Sequence, residues 1–332
     1  MDRKSLHRKI FVGPMTKNVV DEIKYFNTNQ RDFFGLIPSR RQVECKQLGG
    51  GYVNNWTTEN FSEYVSEEAL ILRDHGGPHQ GLEKDNGIES LESDIKSGIK
   101  FLHIDPWKSV RDFDTGIKRT INIIDHCISV DSNCFFEVGT EEAIFPYSAN
   151  DLSKLLSQLE KHLGEDFARV VYGVVQSGTS ISGMRNTGDF SKEKSSDMSS
   201  VCHNFGVYAK EHNSDYLTAE EIKLRVSAGV DSLNIAPELG VLETNSIMDI
   251  LCERDALMEK FIKICYDSGK WKKWVTEEPE KKVIAKICGH YVFATSEYQA
   301  IKKKLSEDFE VDNLICSKIR QKLNEIYQTV GS

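Results

Sequence analysis

Short runs of apolar, β-branched and aromatic residues recur along this chain roughly every 25 to 40 residues, with helical patterns in most of the gaps. This rhythm is the strongest constraint on the fold. A strand that leads through an amphipathic helix into another strand makes a right-handed crossover and pairs in parallel. Eight such runs are legible, beginning at Ile10, Phe33, Ile71, Lys100, Phe135, Val170, Gly206 and Ser232. Eight strands within about 230 residues match a (β/α)8 TIM barrel, a fold of typically ~250 residues. The expected architecture is therefore α/β: a barrel over residues 1–245 carrying the active site, then a mainly helical extension over 246–332. The charged helices of that extension would pack on the barrel or on a neighbouring subunit. A doubly wound sheet is the competing arrangement. It would carry a glycine-rich phosphate fingerprint after the first strand, and neither that nor a Walker sequence is present.

The chain has 332 residues, 28% of them charged, and a net charge of -9, which suits a globular protein and argues against a nucleic-acid-binding surface. No apolar stretch approaches the ~18 residues of a membrane span. The start of the chain reads as lacking an export signal. The eight cysteines are scattered without a C-x-x-C pair. Free thiols and a reducing, cytoplasmic compartment follow as expectations. The segment from Thr179 to Asn204 is rich in Ser, Gly, Asn and Asp and reads as a long loop, the kind that closes over a site.

In a barrel of this class the active site lies at the carboxyl ends of the strands. The polar residues of this sequence gather there. Arg41 and Gln42 follow the second strand, and Asp74 and His75 end the third before a Gly-Gly-Pro turn. His103 and Asp105 lie at the fourth end, Glu137 and Glu141 at the fifth, Gln176 at the sixth, Lys210 and His212 at the seventh, and Asn234 at the eighth. His103 and Asp105 share parity and project to one face of their strand, and Asp105 reads more as support for a neighbouring ligand than as chemistry. The strand starts carry far fewer functional groups. Imidazole with carboxylate and amide oxygen suits zinc, with manganese or cobalt as alternatives, so His75 and His212 are candidate metal ligands and Glu141 and Gln176 could complete the shell. Asp74 is a candidate proton acceptor, with Glu137 and Glu141 as rivals. Lys210 either forms a Schiff base with a ketone or pairs with a carboxylate or substrate. Gly178 and Arg185, in the long sixth loop, could hold an anion.

Six motifs occur in collinear order: Gly49-Gly50-Gly51-Tyr52, Asp74-His75-Gly76-Gly77-Pro78, His103-Ile104-Asp105, Gly139-Thr140-Glu141, Val174-Val175-Gln176-Ser177-Gly178 and His212-Asn213-Ser214-Asp215-Tyr216. Together they resemble the tagatose-bisphosphate aldolase Z-type subunit family, a branch of the class II aldolase barrels. The resemblance implies a metal-dependent barrel acting on ketoses or ketose phosphates in carbohydrate metabolism. Its members are described as accessory aldolase subunits or as ketose 4-epimerases. It implies Asp74 as base, His75 and His212 as metal ligands, and Asn234 as a substrate contact. Gln42, Tyr52, Asp105, Gly178, Arg185 and Lys210 join Asn234 as the expected substrate-binding set. Gln176 stands where many class II aldolases carry a histidine, and Gln176-Ser177-Gly178 departs from the Gln-Pro-Gly of the branch. The expected partners are a sugar or sugar phosphate, further copies of the chain, and a second aldolase subunit.

Overall fold

The computed structural model describes residues 6–307 and 310–331. The amino-terminal residues on which the reading of no export signal rests lie outside this range. Eight parallel strands form the barrel: Ile10–Val12, Phe34–Leu36, Leu72–Gly76, Phe101–Ile104, Phe135–Val138, Val170–Val175, Tyr208–Glu211 and Ser232–Ile235. They are numbered here one to eight. The eighth pairs with the first, Ile10 opposite Leu233, so the sheet curls round on itself. A helix follows each strand: Lys17–Asn29, Thr58–Val65, Ile88–Lys96, Phe113–Val130, Ala149–Leu163, Lys192–Asn204, Ala219–Ser227 and Pro237–Leu251. The protein is thus a (β/α)8 TIM barrel with carboxyl-terminal helices.

Local chemistry sets these boundaries. Thr16, Thr57, Asp112, Ser148 and Thr218 each accept a backbone N–H of the first helical turn, and Ser148 and Thr218 complete capping boxes with Asp151 and Glu221. Proline opens the eighth helix, where its missing N–H costs nothing. One stretch departs from the sequence reading. Thr179–Asn204 is not a continuous loop, because the sixth barrel helix, Lys192–Asn204, occupies its second half. Its buried face is Ser195, Met198, Ser199 and Cys202, spaced as a helix requires but half serine, so the apolar stripe that signals a helix is nearly absent.

The seam between the second and third strands is the thinnest part of the barrel, held by the isolated bridges Leu36–Ile71 and Ser39–Asp74. Arg73 reinforces it. Its guanidinium is fully buried, donates to the carbonyls of Pro38 (3.0 Å) and Val43 (2.8 Å), and forms a two-pronged pair with Asp94. Inside the barrel, Phe11, Phe101 and Tyr172 form an aromatic plug, Phe101 and Tyr172 stacking at 5.7 Å. Inner positions are apolar at the strand starts and polar at the ends: Phe101 then His103, Phe135 then Glu137, Tyr208 then Lys210.

The boundary expected at residue 245 falls inside the eighth barrel helix, which runs unbroken from Pro237 to Leu251. The extension therefore begins at Asp255, with helices Asp255–Asp267, Lys281–Cys288, Ser296–Leu305 and Val311–Val330. The last of these lies on the outside of this same barrel. Arg320 grips Glu22 of the first helix (2.7 and 2.9 Å), and Tyr327 packs on Phe26 and Phe33. All eight cysteines are free thiols. Among the described residues no helix is long and apolar enough to cross a membrane.

Candidate active site

Adjacent residues on a strand point to opposite faces, so Asp74 and His75 could not both enter a site from a regular strand. The third strand is not regular. Its register against the fourth shifts between Arg73 and Gly76, and His75 takes a left-handed backbone with φ of +48°. A non-glycine residue at positive φ is uncommon, and such conformations gather at functional sites. The bulge turns both side chains toward the barrel axis. Gly77 makes the following turn possible, because a Cβ there would lie 2.3 Å from the carbonyl oxygen of Asp105.

Three histidines meet at this point, each with one ring nitrogen tied to an orienting partner. His75 Nδ1 donates to Asp105 Oδ2 (2.7 Å), which leaves Nε2 facing Glu141 Oε1 (3.2 Å) and Asp74 Oδ2 (3.6 Å). His212 Nε2 donates to Glu137 Oε1 (2.5 Å), which leaves Nδ1 facing Glu141 Oε1 (3.3 Å) and Asp74 Oδ1 (3.9 Å). His103 Nε2 donates to the Gly139 carbonyl (3.1 Å), and its Nδ1 accepts the backbone N–H of His75 (3.3 Å). The same Nδ1 lies 3.4 Å from Asp74 Oδ1, so this nitrogen is shared between the His75 backbone and the Asp74 carboxylate. His103 therefore pins the strained backbone of His75. Two groupings of ligand-type atoms lie within 4.8 Å of one another, His75–Glu141–His212 and Asp74–His103–His212. Hydrogen bonding favours the first as a place for a metal ion, since its two histidines keep a nitrogen free and have their other N–H anchored on a carboxylate.

The electrostatics agree with that reading. Burial lowers the His212 imidazole, but the Glu137 carboxylate outweighs it and brings the pKa up to about 9. Burial likewise lowers His75, and the charge on Asp74 with the bonds to Asp105 and Glu141 lifts it well above the usual value. Desolvation raises Glu141 and Asp74, yet the neighbouring histidines pull Glu141 far down and Asp74 below its ordinary value. Lys210 is fully buried, donates to Glu137 Oε2 (2.6 Å), and rests 4.0 Å over the Phe11 ring. The carboxylates thus outnumber the fixed cations. Without a metal ion His75 and His212 hold protons that supply positive charge.

Above the cluster opens a cavity of about 570 Å³, whose lining includes Gln42, Tyr52, Asp74, His75 and Glu141. His212 borders an adjoining crevice with Gly178 and Gln176. Four expected roles fit the geometry poorly. Gln176 has no amide group to spare as a ligand: Oε1 accepts from Tyr147 N, and Nε2 donates to the carbonyls of Thr140 and Phe145. Asp105 does not line the cavity, and its oxygens are taken by His75, Gln80 and the Trp107 N–H. Of the alternatives for Lys210 the pairing with a carboxylate, Glu137, is the one that forms; sealed beneath the cluster by that residue and the aromatic plug, it does not reach substrate or a ketone. Arg185 is exposed on the hairpin Ile181–Asn186 and does not reach the lining. Asn234 is buried, and its Oδ1 has no protein partner. Glu137 is no rival base, since Lys210 and His212 occupy both its oxygens.

The sequence reading gave no role to His103, although its inward parity with Asp105 was the signal. It also missed the contribution of the extension. Lys270, Lys273, Trp274 and Tyr291 line the cavity, and no sequence pattern links them to the barrel. Clefts of about 330 and 340 Å³ at the opposite ends of the strands, around Asp32, hold no comparable cluster.

No protein-family model and no curated protein matches the chain. Solved structures do. A protein described as a probable tagatose 6 phosphate kinase from Sinorhizobium meliloti superposes with a TM-score of 0.80 at 15% identity, over 97% of this chain and 100% of that one. The fructuronate-tagaturonate epimerase of Cohnella laeviribosi gives 0.67 at 9% identity, over 98% and 82% of the two chains. A fructose-bisphosphate aldolase from Campylobacter jejuni gives 0.62 at 10% identity, over 99% and 91%. At such identities the likeness is one of fold, and it takes in the helical extension as well as the barrel.

Proposed function

We propose that this protein is a metal-dependent carbon–carbon lyase of the class II aldolase type, working as an aldolase or as a retro-aldol 4-epimerase on a ketose or ketose phosphate. One observation carries the reading. His75 Nε2, His212 Nδ1 and Glu141 Oε1 converge with their other groups anchored, beside a carboxylate, Asp74, that opens on the cavity. The sugar-processing proteins that share the fold and the motif resemblance to the Z-type branch support it. His75, His212 and Glu141 fit a divalent ion, zinc first, with manganese or cobalt as substitutes. When bound, such an ion supplies Lewis-acid polarisation of a substrate carbonyl.

The chain's own residues do the rest. Asp74, kept ionised by the histidines around it, accepts the proton of the substrate's C4 hydroxyl. The C4–O pair becomes the aldehyde carbonyl as the C3–C4 bond breaks, and the bonding pair passes into the C2 carbonyl. Release of the aldehyde, followed by return of a proton to C3 of the remaining enediolate, is the aldolase outcome. Re-addition to its opposite face, with Asp74 returning the proton, inverts C4. Asp105 and Glu137 hold the imidazoles at one angle throughout, and Lys210 offsets the charge of Glu137. Thr179, Ser180 and Ile181 of the sixth loop form part of the cavity wall and limit access of water.

The test is zinc content and turnover measured together on the purified protein, with a panel of ketoses, ketose phosphates and ketohexuronates followed by NMR. Asp74→Asn should keep zinc and lose turnover, whereas His212→Ala should lose both. Absence of turnover with zinc, manganese or cobalt across the panel, with tight association to a second aldolase chain, would overturn the enzymatic reading in favour of an accessory subunit.

A further inference from the structure

The floor of the cavity is acidic, but its rim is not. Arg41 arrives from the loop after the second strand, Lys108 from the turn Trp107–Ser109 after the fourth, and Lys273 from the turn Lys270–Lys273 of the extension. Arg41 and Lys273 line the cavity. The ammonium of Lys273 is pushed down, by desolvation first and then by the charge of Arg41, while Glu141 and Asp74 draw it back up. Lys108 is pushed down in the same way, by desolvation and then Arg41. Arg41 and Lys273 thus share one opening. Neither has a carboxylate within salt-bridge reach among the described residues. Lys273 is exposed and Arg41 half-buried, open to a ligand, whereas the fully buried cations are paired: Lys9 with Asp32, Arg40 with Glu44, Arg73 with Asp94, Lys210 with Glu137 and Arg225 with Glu211.

Lys273 is also held in place. Its Nζ lies 4.5 Å over the Trp274 ring, and Trp274 Nε1 donates to the Tyr291 hydroxyl (3.2 Å). Tyr291 packs against Tyr52 at 4.8 Å, which ties the extension to the barrel wall. On the other side the Gly183 N–H donates to the Trp274 carbonyl (2.9 Å), fastening the sixth-loop hairpin to the same platform.

We infer that the carboxyl-terminal extension completes the substrate site: Lys273, with Arg41, binds the terminal anionic group, phosphate or carboxylate, of a ketose whose carbonyl end lies at the histidine cluster. This rests on the sugar-processing reading of that cluster, but anion binding at the rim can be measured without it. A cationic rim repels nothing in an anionic sugar and leaves a neutral one unanchored. The anion accepts charge-assisted hydrogen bonds from the guanidinium and the ammonium group and relieves their mutual repulsion.

The experiment uses the full chain and four probes by calorimetry: inorganic phosphate, fructose 6-phosphate, fructuronate and fructose. Lys273→Gln and Arg41→Gln should each weaken the favoured anionic sugar about tenfold, as loss of a charged hydrogen bond does. Both should leave fructose binding, zinc content and the thermal midpoint unchanged. A preference of the unmutated protein for fructose 6-phosphate assigns the rim to phosphate, and a preference for fructuronate assigns it to carboxylate. Equal losses for fructose and the anionic sugars, or no loss at all, would overturn the inference. Inorganic phosphate and zinc-free protein separate the two readings. Phosphate binding that fails to respond to either variant sinks the rim site, whatever the catalytic assays give, and a lack of turnover with intact phosphate binding sinks only the catalysis.

Discussion

Glu243 offers the sharpest test of how the extension is joined to the barrel. It lies in the eighth barrel helix, 3% exposed, where it accepts from the Thr16 hydroxyl at the cap of the first helix and from Asn18 Nδ2 (3.0 Å). Asn18 reaches on to Asp312 of the last helix (3.0 Å), which pairs with Lys302 (2.6 Å). Burial lifts the Glu243 carboxyl from 4.5 to about 7, against the opposing bonds from Thr16 and Asn18 and the charge of Lys302. The folded state therefore holds a proton that the unfolded chain releases once the pH passes 4.5. The stability it contributes is complete below that value and is lost as the pH climbs to about 7. At about 1.4 kcal/mol per pH unit the loss amounts to about 3 kcal/mol. Glu243→Gln keeps the shape, accepts from Asn18, donates to Thr16, and has no proton to lose. Measured by urea unfolding, the variant should match the parent at pH 5 and exceed it by about 2.5 kcal/mol at pH 8. Parallel pH profiles for the two proteins would refute the placement of a buried, proton-holding carboxyl at this joint.

Two further outcomes follow from the same geometry. Arg73→Met leaves the buried Asp94 without its partner and removes the guanidinium that spans the second and third strands, so it should cost about 3–5 kcal/mol. A urea midpoint within error of the parent would refute that bridging role. Zinc must displace the protons that His75 and His212 carry in its absence, so binding at pH 7.5 should release about two protons. Calorimetry in buffers of different ionisation enthalpy reads that number directly. Affinity should rise as the pH increases toward the value of about 9 at which His212 loses its proton unaided. Binding that releases no protons would show that the ion goes elsewhere.

The barrel and the identity of its functional end were legible because they depend on local periodicity. A run such as Val170–Val175 can only be a strand buried on both faces, and eight such runs separated by helices leave little choice of topology. The collection of Asp74, His75, Glu141 and His212 at strand ends followed from the same count. The roles within the cluster depend on angles, which sequence spacing does not carry. His75 sits beside Asp74 because of a bulge, and nothing in Arg73-Asp74-His75 announces one except the glycines that follow. Gln176 looked like a ligand because it ends a strand. Its amide is spent on three backbone groups of the fifth loop and its continuation, contacts that exist only once that loop has folded back. Lys273 was out of reach altogether, because its place at the mouth depends on how the extension returns across the barrel.

The two ends of the cavity differ in charge, and that arrangement constrains what can occupy it. Asp74 and Glu141 face the floor, where the protons on His75 and His212 already balance them, so the floor offers an anionic group no free cation and suits a neutral, polarisable carbonyl. Arg41 and Lys273 make the rim attractive to the anionic group. A ketose with one charged end can then enter in a single sense, its tail held at the mouth and its carbonyl end directed to Asp74 and the histidines. Reversing it would set an anion beside the carboxylates of Asp74 and Glu141 and leave the rim cations unsatisfied. Orientation in this site is thus fixed by charge before any hydroxyl group is recognised, and the part of the chain outside the barrel supplies one of the charges that fix it.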